Sequence, residues 1–291
     1  MAKSDLCTLQ DAAAWVSAST TGADAAVLSR LITSMSGSIN GYLARGFLLP
    51  TTISERYDGP GSQRLYFRRW PILSIASLTV NNITVPPASQ PAPGQTWPNN
   101  GYLVEPWDGI PPGKMQAVDL YGGAWGYGFS APAFVPGREN IAVTYTAGYQ
   151  VTNEQVLISS SPPEYQVLAP YGPWGSDQGV VGPGGTAFAA VAASPGLDQY
   201  VPSYNSIPGL YLFSEANAGQ TVSISYGYIP AAVNDACIEW VGERYRYRKR
   251  IGQRSESVGG QQTASYDLSA IPAYVKAMLQ PYVSVVPVGP T

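Results

Sequence analysis

The densest group of side chains able to do chemistry lies in GERYRYRKRIG: Arg244, Arg246, Arg248, Lys249 and Arg250, with Arg254 just beyond. Guanidinium and ammonium groups at this spacing can hold phosphate or carboxylate. On a helix they spread around most of the circumference, so three readings stay open. One is a solvated helix end, where cations complement the C-terminal dipole. Another is contact with an acidic surface of a partner protein, and the third is contact with DNA phosphates. Tyr245 and Tyr247 interleave with the arginines. Such a pattern can stack bases, although on one helix it more often packs beneath snorkelling cations.

The remaining candidates for chemistry are sparse. The chain has no histidine, which removes Ser-His-Asp and Cys-His catalysis, His-ligated metals and His proton shuttles. Glu105 with Asp108, or Asp177 with Asp198, could serve as a carboxylate pair, but glycoside hydrolysis needs two acids on opposite sides of a sugar. Nothing in their spacing provides that, so no enzymatic activity is expected. Cys7 and Cys237 form no CxxC pattern and read as two small buried hydrophobes. GPGG at 182–185 lacks the Lys and Ser/Thr of a phosphate loop and reads as a turn. No cofactor or metal is expected. Trp97, Trp107, Trp125 and Trp174 lie in Gly- or Pro-rich segments, where they can bind a sugar or partner or fill gaps between strands.

Composition sets the frame for these residues. Only 12% of the 291 residues are charged, about half the usual share, and the net charge is −3. No global field therefore draws in nucleic acid, and so little charge suggests a surface covered by partners. Gly, Pro and Tyr are plentiful at 31, 26 and 20 residues, which points to short strands joined by tight turns. The N-terminus lacks the apolar core of a signal peptide, and no run of about 18 apolar residues would span a membrane. Synthesis and assembly in a cytoplasm are expected.

Thr8 caps a first helix over 8–19, with Asp11 completing a capping box. A second helix follows Thr21-Gly22. Its apolar stripe is Leu28, Leu31, Ile32, Met35, Ile39 and Leu43, and Gly46 serves as its stop. Strands are expected at 53–58, 64–70, 74–80 and 83–85, the last two joined at Asn81-Asn82. Others are expected at 102–105, 115–120 and 140–146, with loops at 86–100 and 122–137. Residues 150–229 contain no Lys or Arg and carry short strands at regular spacing, which reads as an inserted all-β module. Their ending, SISYGYIP, echoes TYTAGY at 144–149. A third helix is expected over 231–251. Pro272 then opens a short helix that leads into a Val/Pro-rich tail. The tail carries Tyr274, Val275, Met278, Leu279, Tyr282, Val283, Val285 and Val286, suited either to docking on a neighbour or to packing on its own domain. The expected class is α+β. It combines a helical bundle of two N-terminal helices and a long C-terminal helix, a β-strand region, and an inserted all-β domain. The expected domains are 1–149 with 230–291, and 150–229.

Four segments carry a family resemblance: LCTLQDAAAWV with LSRLITSMSGSINGYLARGF; YDGPGSQRLYFRRWPILSIASLTV; NIAVTYTAGY; and VNDACIEWVGERYRYRKRIGQRSESVGGQQTASYDLSAIPAYVKAMLQPY. Their order resembles the head–tail connector (adaptor) family of tailed bacteriophages, and residues 150–229 depart from it. The resemblance implies a structural subunit of a ring, twelvefold to match a portal protein, in the neck of a virion. Its partners would be copies of itself, the portal, and tail or head-completion proteins. DNA would pass through the lumen without sequence specificity. The basic helix end and the tail would be the contact surfaces. The alternative is a carbohydrate- or receptor-binding virion protein acting through the β insertion.

Overall fold

The computed structural model describes residues 5–88, 101–105, 116–121, 133–248, 255–258, 262–265 and 271–284. The chain divides into two compact units. One comprises Met1–Phe47, Leu168–Trp174 and Tyr228–Val283, and the other Leu48–Val167, Gly175–Gly227 and Ser284–Thr291.

The first unit holds four helices, α1 (Leu9–Val16), α2 (Gly22–Tyr42), α3 (Ala231–Tyr247) and α4 (Ala273–Leu279). Thr8 starts α1. Its hydroxyl accepts from the Asp11 amide at 3.0 Å and donates to the Asp11 carboxylate at 2.6 Å. The helix stops at Val16 because Ser17 turns left-handed. On α2 the buried stripe is Leu28, Ile32, Ser36 and Ile39, continued by Leu43. This helix ends at Tyr42, and Ala44, not Gly46, takes the left-handed conformation. Three helices pack on α3, which therefore has the widest buried face, from Val233 to Tyr245. A Cβ on Gly242 of α3 would lie 2.7 Å from the Trp15 ring, so glycine lets α1 approach closely. The segment Leu168–Trp174 runs beside the entry to α3. Tyr171 and Pro173 accept from the amides of Ala231 and Ile229, each at 3.0 Å.

The second unit is built from strands. In chain order these are β1 (Thr51–Gly59), β2 (Arg64–Tyr66), β3 (Ile72–Val80), β4 (Ile83–Thr84), β5 (Gly101–Glu105), β6 (Ala117–Tyr121) and β7 (Gly137–Ala147). Then follow β8 (Gln150–Leu157), β9 (Glu164–Gln166), β10 (Trp174–Val181), β11 (Ala189–Ala190), β12 (Gln199–Val201), β13 (Leu210–Phe213) and β14 (Thr221–Tyr228). The sheets β1-β7-β3-β4 and β2-β6-β5 share one apolar core of Tyr57, Phe67, Leu78, Val118, Ile141 and Tyr145 with their neighbours. Alternation on β7 is as the sequence predicts: Ile141, Val143 and Tyr145 point inward, while Thr144 and Thr146 bond to Ser54 and Thr52 across the other face. Asn81 and Asn82 have φ of 50° and 64°, which suits the two-residue turn between β3 and β4.

The other two sheets, β10-β14-β8 and β11-β12-β13-β9, are joined through carboxylates. Asp177 on β10 accepts from Tyr200 of β12 at 2.6 Å and Tyr211 of β13 at 2.9 Å. Glu154 on β8 accepts from Tyr165 of β9 at 3.1 Å and Tyr226 of β14 at 2.6 Å. A third clamp lies in the first sheet, where Glu55 accepts from Tyr57 and Tyr145. A charged acceptor with two hydroxyl donors remains satisfied where solvent is scarce. A last hairpin, β15 (Ser255–Val258) with β16 (Gln262–Ser265), lies in the C-terminal part of the chain.

The expected class is therefore corrected. Among the described residues strands dominate, in four sheets of three or four strands and one two-stranded hairpin, against four helices of 8, 21, 17 and 7 residues. A helical bundle with a long C-terminal helix does not describe this chain. The described part of that helix, α3, spans Ala231–Tyr247, and its last buried residue is Tyr245. Two-residue alternation, by contrast, marks β7 and β13 and the first part of β14.

The echoed Gly-Tyr steps have a shared structural role. A Cβ on Gly148 would lie 2.5 Å from the Pro50 nitrogen, and one on Gly227 would lie 2.5 Å from the Pro50 ring. Both strands thus converge on the Leu49-Pro50 peptide. Gly227→Ala should lower stability by about 1–3 kcal/mol through overpacking. Gly37→Ala, in open space on α2, should raise it by about 0.5–1 kcal/mol. Urea midpoints of the two variants check this pair of opposite signs.

The clamps also set a pH dependence. Burial, helped by the adjacent carboxylates, pushes Tyr57, Tyr145 and Tyr200 well above the ordinary tyrosine value near 10, and Tyr165 up to about 12. Folding thus favours the protonated hydroxyls. Their contribution is complete below about pH 10, where unfolded tyrosine ionises, and is lost as pH rises through the folded values. Urea unfolding from pH 8 to 12 should show a midpoint that falls steeply above about pH 10, and less steeply in Tyr200→Phe. An unchanged slope in that variant would contradict the clamp.

Candidate functional site

Among the described residues the candidate contact surface lies in the helical unit, at the end of α3 and on α4. The sequence-predicted cations divide here. Arg248 is committed internally. Its guanidinium lies 4.0 Å from the Tyr245 ring centre, donates to the Tyr245 hydroxyl at 2.7 Å and pairs with Asp24 at 3.0 Å. It thereby ties the end of α3 to the first turn of α2. Arg244 is part-buried and Arg246 is exposed. Lys249, Arg250 and Arg254 lie outside the described residues. Of the interleaved tyrosines, Tyr245 is buried and Tyr247 part-buried, which is packing beneath arginine.

The tail residues divide in the same way. Val275, Leu279 and Tyr282 are buried against their own unit, chiefly on α3. Tyr274, Met278 and Val283 keep exposed surface, and Val285 lies outside the described residues. Tyr274 is 42% exposed, and its hydroxyl donates to Glu243 of α3 at 3.1 Å. Burial and the Glu243 carboxylate push that hydroxyl above its ordinary range. The turn Gln280–Tyr282 is anchored by Tyr42, whose hydroxyl donates to Gln280 at 3.4 Å. Helix α4 thus has an inner face that anchors it and an outer face left for contact.

One feature of this unit escapes the sequence reading. Trp15 on α1 is 52% exposed and borders an open depression of about 540 Å³ with Asp11, Ala14, Pro173, Asn234, Asp235 and Ile238. The signal was present: Trp15 lies two residues beyond Ala13, so it points away from the buried side of α1. Among the described residues of the helical unit, Trp15, Tyr171 and Tyr274 are the large exposed aromatics.

The carboxylates considered for catalysis have structural partners. Asp177 is held by two tyrosines, and Asp198 accepts from Asn217 Nδ2 at 3.0 Å. Glu105 is part-buried on β5, and Asp119, which belongs to neither candidate pair, forms a bidentate pair with Arg64 at 2.6 and 2.8 Å. Asp108, Trp97, Trp107 and Trp125 lie outside the described residues. Among the described residues no three His, Cys, Asp or Glu side chains gather as a metal site, and no helix is long and apolar enough to cross a membrane.

No protein-family model matches the sequence, and no curated protein matches it either. The functional argument therefore rests on residues and geometry. The division of the cations has a direct consequence. Arg248→Ala should lower stability by about 1 kcal/mol, combining a part-exposed ion pair with a cation–π contact. Arg246→Ala should stay within about 0.5 kcal/mol of the parent. Thermal unfolding of both variants measures the difference.

Proposed function

We propose that this chain is a structural head–tail connector subunit of a tailed bacteriophage, one that forms a ring beneath the portal and catalyses no reaction. The observation that carries the proposal is the character of the helical unit. Segments 5–47 and 228–283, which hold the first and fourth stretches of family resemblance, fold together there and leave Trp15, Val27, Leu168, Tyr171 and Tyr274 exposed. Large apolar side chains on a low-charge surface favour association, and a closed ring satisfies such surfaces without open ends.

On this reading the outer face of α4 and the exposed aromatics meet copies of the chain or the portal. Exposed Arg246 faces an acidic neighbour or the DNA lumen. A twelvefold ring would match a portal and sit in the neck of the virion, next to tail or head-completion proteins. A carbohydrate- or receptor-binding role for residues 150–229 has less support, because Asp177 and Asp198 already accept from Tyr200, Tyr211 and Asn217.

Sedimentation velocity of the full chain, alone and mixed with the portal protein of its own phage, tests the proposal. We expect a discrete closed oligomer or a portal-bound complex, weakened in a Trp15→Arg/Tyr274→Arg variant that still folds. A monomer at every concentration, with and without portal, would overturn it.

A further inference from the structure

The two cysteines stand 230 positions apart in the chain, yet their sulfurs are 3.5 Å apart in the interior of the helical unit. Both are free thiols, with Cys7 1% and Cys237 0% exposed. The surroundings do more than fill space. The Leu6 amide donates to Ser36 Oγ on α2 at 2.9 Å, and Asn234 Nδ2 on α3 donates to the Leu6 carbonyl at 2.9 Å. Ser36 Oγ also lies 3.5 Å from the Cys237 sulfur. The backbone before α1 is thereby fixed against α2 and α3, and Cys7 is held in register with Cys237.

We propose that Cys7 and Cys237 form a peroxide-sensitive dithiol that closes to an intramolecular disulfide, locking the N-terminal segment onto α3. The pair is asymmetric. Cys7 donates its hydrogen bond into Cys237, which raises the Cys7 thiol, and that bond together with Ser36 lowers the Cys237 thiol against the opposing effect of burial. Ser36 Oγ and the Cys7 sulfur both lie 3.5 Å from the Cys237 sulfur, so two groups can hydrogen-bond a thiolate there, and Cys237 is assigned as the attacking sulfur. Its thiolate attacks one oxygen of hydrogen peroxide, the O–O bond breaks, and the departing hydroxide is protonated to water, leaving Cys237 as a sulfenic acid. The Cys7 sulfur then attacks the Cys237 sulfur. The S–O bond breaks, and the departing hydroxide takes the Cys7 proton and leaves as a second water. Overall, two thiols are oxidised to one disulfide while one peroxide is reduced to two waters.

A disulfide bond is about 2.0 Å long, so the sulfurs must approach by about 1.5 Å, within reach of side-chain rotation at two cysteines. Cys7 lies one residue from part-exposed Thr8 at the start of α1, whereas Cys237 is fully buried, so peroxide reaches the pair when the N-terminal segment opens locally. Burial of both sulfurs disfavours bridging to a second chain.

The test uses the full purified chain, either kept reduced or treated with hydrogen peroxide while folded, then denatured, alkylated and digested. After peroxide we expect one Cys7–Cys237 cross-linked peptide, loss of both alkylatable thiols, and an upward shift of the urea midpoint that a reductant reverses. In Cys7→Ser and Cys237→Ser, cross-link and shift should both vanish. If one variant fails to fold, the wild-type peptide map decides alone. Two alkylatable thiols surviving in the peroxide-treated folded protein, sulfinic acid at either position without the cross-link, or linkage between chains would each overturn the proposal.

Discussion

Hydrogen bonds from tyrosine hydroxyls to carboxylates hold the sheet unit in its arrangement. Asp177 accepts from two tyrosines of the other sheet, Glu154 from one tyrosine of that sheet and one of its own, and Glu55 from two tyrosines of its own sheet. These carboxylates are part-buried, and hydrogen bonds to an ionised acceptor are stronger than those between neutral groups. Each clamp therefore fixes a relative position that apolar packing alone would leave free to slide. The abundance of tyrosine in this chain and the scarcity of lysine and arginine become parts of one design. In residues 150–229, which contain no Lys or Arg, tyrosine hydroxyls take the place of cations as partners of Asp177 and Glu154.

That choice has a consequence at the surface. A chain with 12% charged residues already has few charges to offer solvent, and several of its acids serve as internal acceptors. What remains on the helical unit is rich in aromatic and aliphatic surface, with Trp15 and Tyr274 prominent. The same unit is fixed at its centre by a small polar cluster, where Ser36 and Asn234 hold the peptide group of Leu6. A rigid frame with an apolar exterior suits assembly better than turnover of a substrate, and this physical pairing supports the connector reading.

Features governed by neighbouring residues were legible in the sequence. The Thr8 cap, the Asn81-Asn82 turn and the alternation of Ile141, Val143 and Tyr145 each depend on positions a few residues apart. The balance of the fold was not legible, because a helix-heavy reading gave the helical segments more weight than the many short strands. The clamps were also hidden. Tyr200 lies 23 residues from Asp177, and Tyr226 lies 72 from Glu154. Longer separations hid the Arg248–Asp24 pair and the meeting of the two cysteines, 224 and 230 residues apart. The basic cluster was visible as composition, but which arginine is committed inward depends on Tyr245 and Asp24 meeting it in space. The repeated Gly-Tyr step was visible too. Its cause, two strands pressing on Pro50, needed the fold.

On the connector proposal, the exposed apolar side chains of the helical unit are covered by other subunits at a phage neck. A cryo-electron microscopy map of the neck of a tailed phage that encodes this chain tests it most directly. The account predicts a closed ring of this subunit beneath the portal, with Trp15 and the outer face of α4 buried at subunit contacts. A neck built without this chain, or a ring in which those residues face solvent, would contradict it.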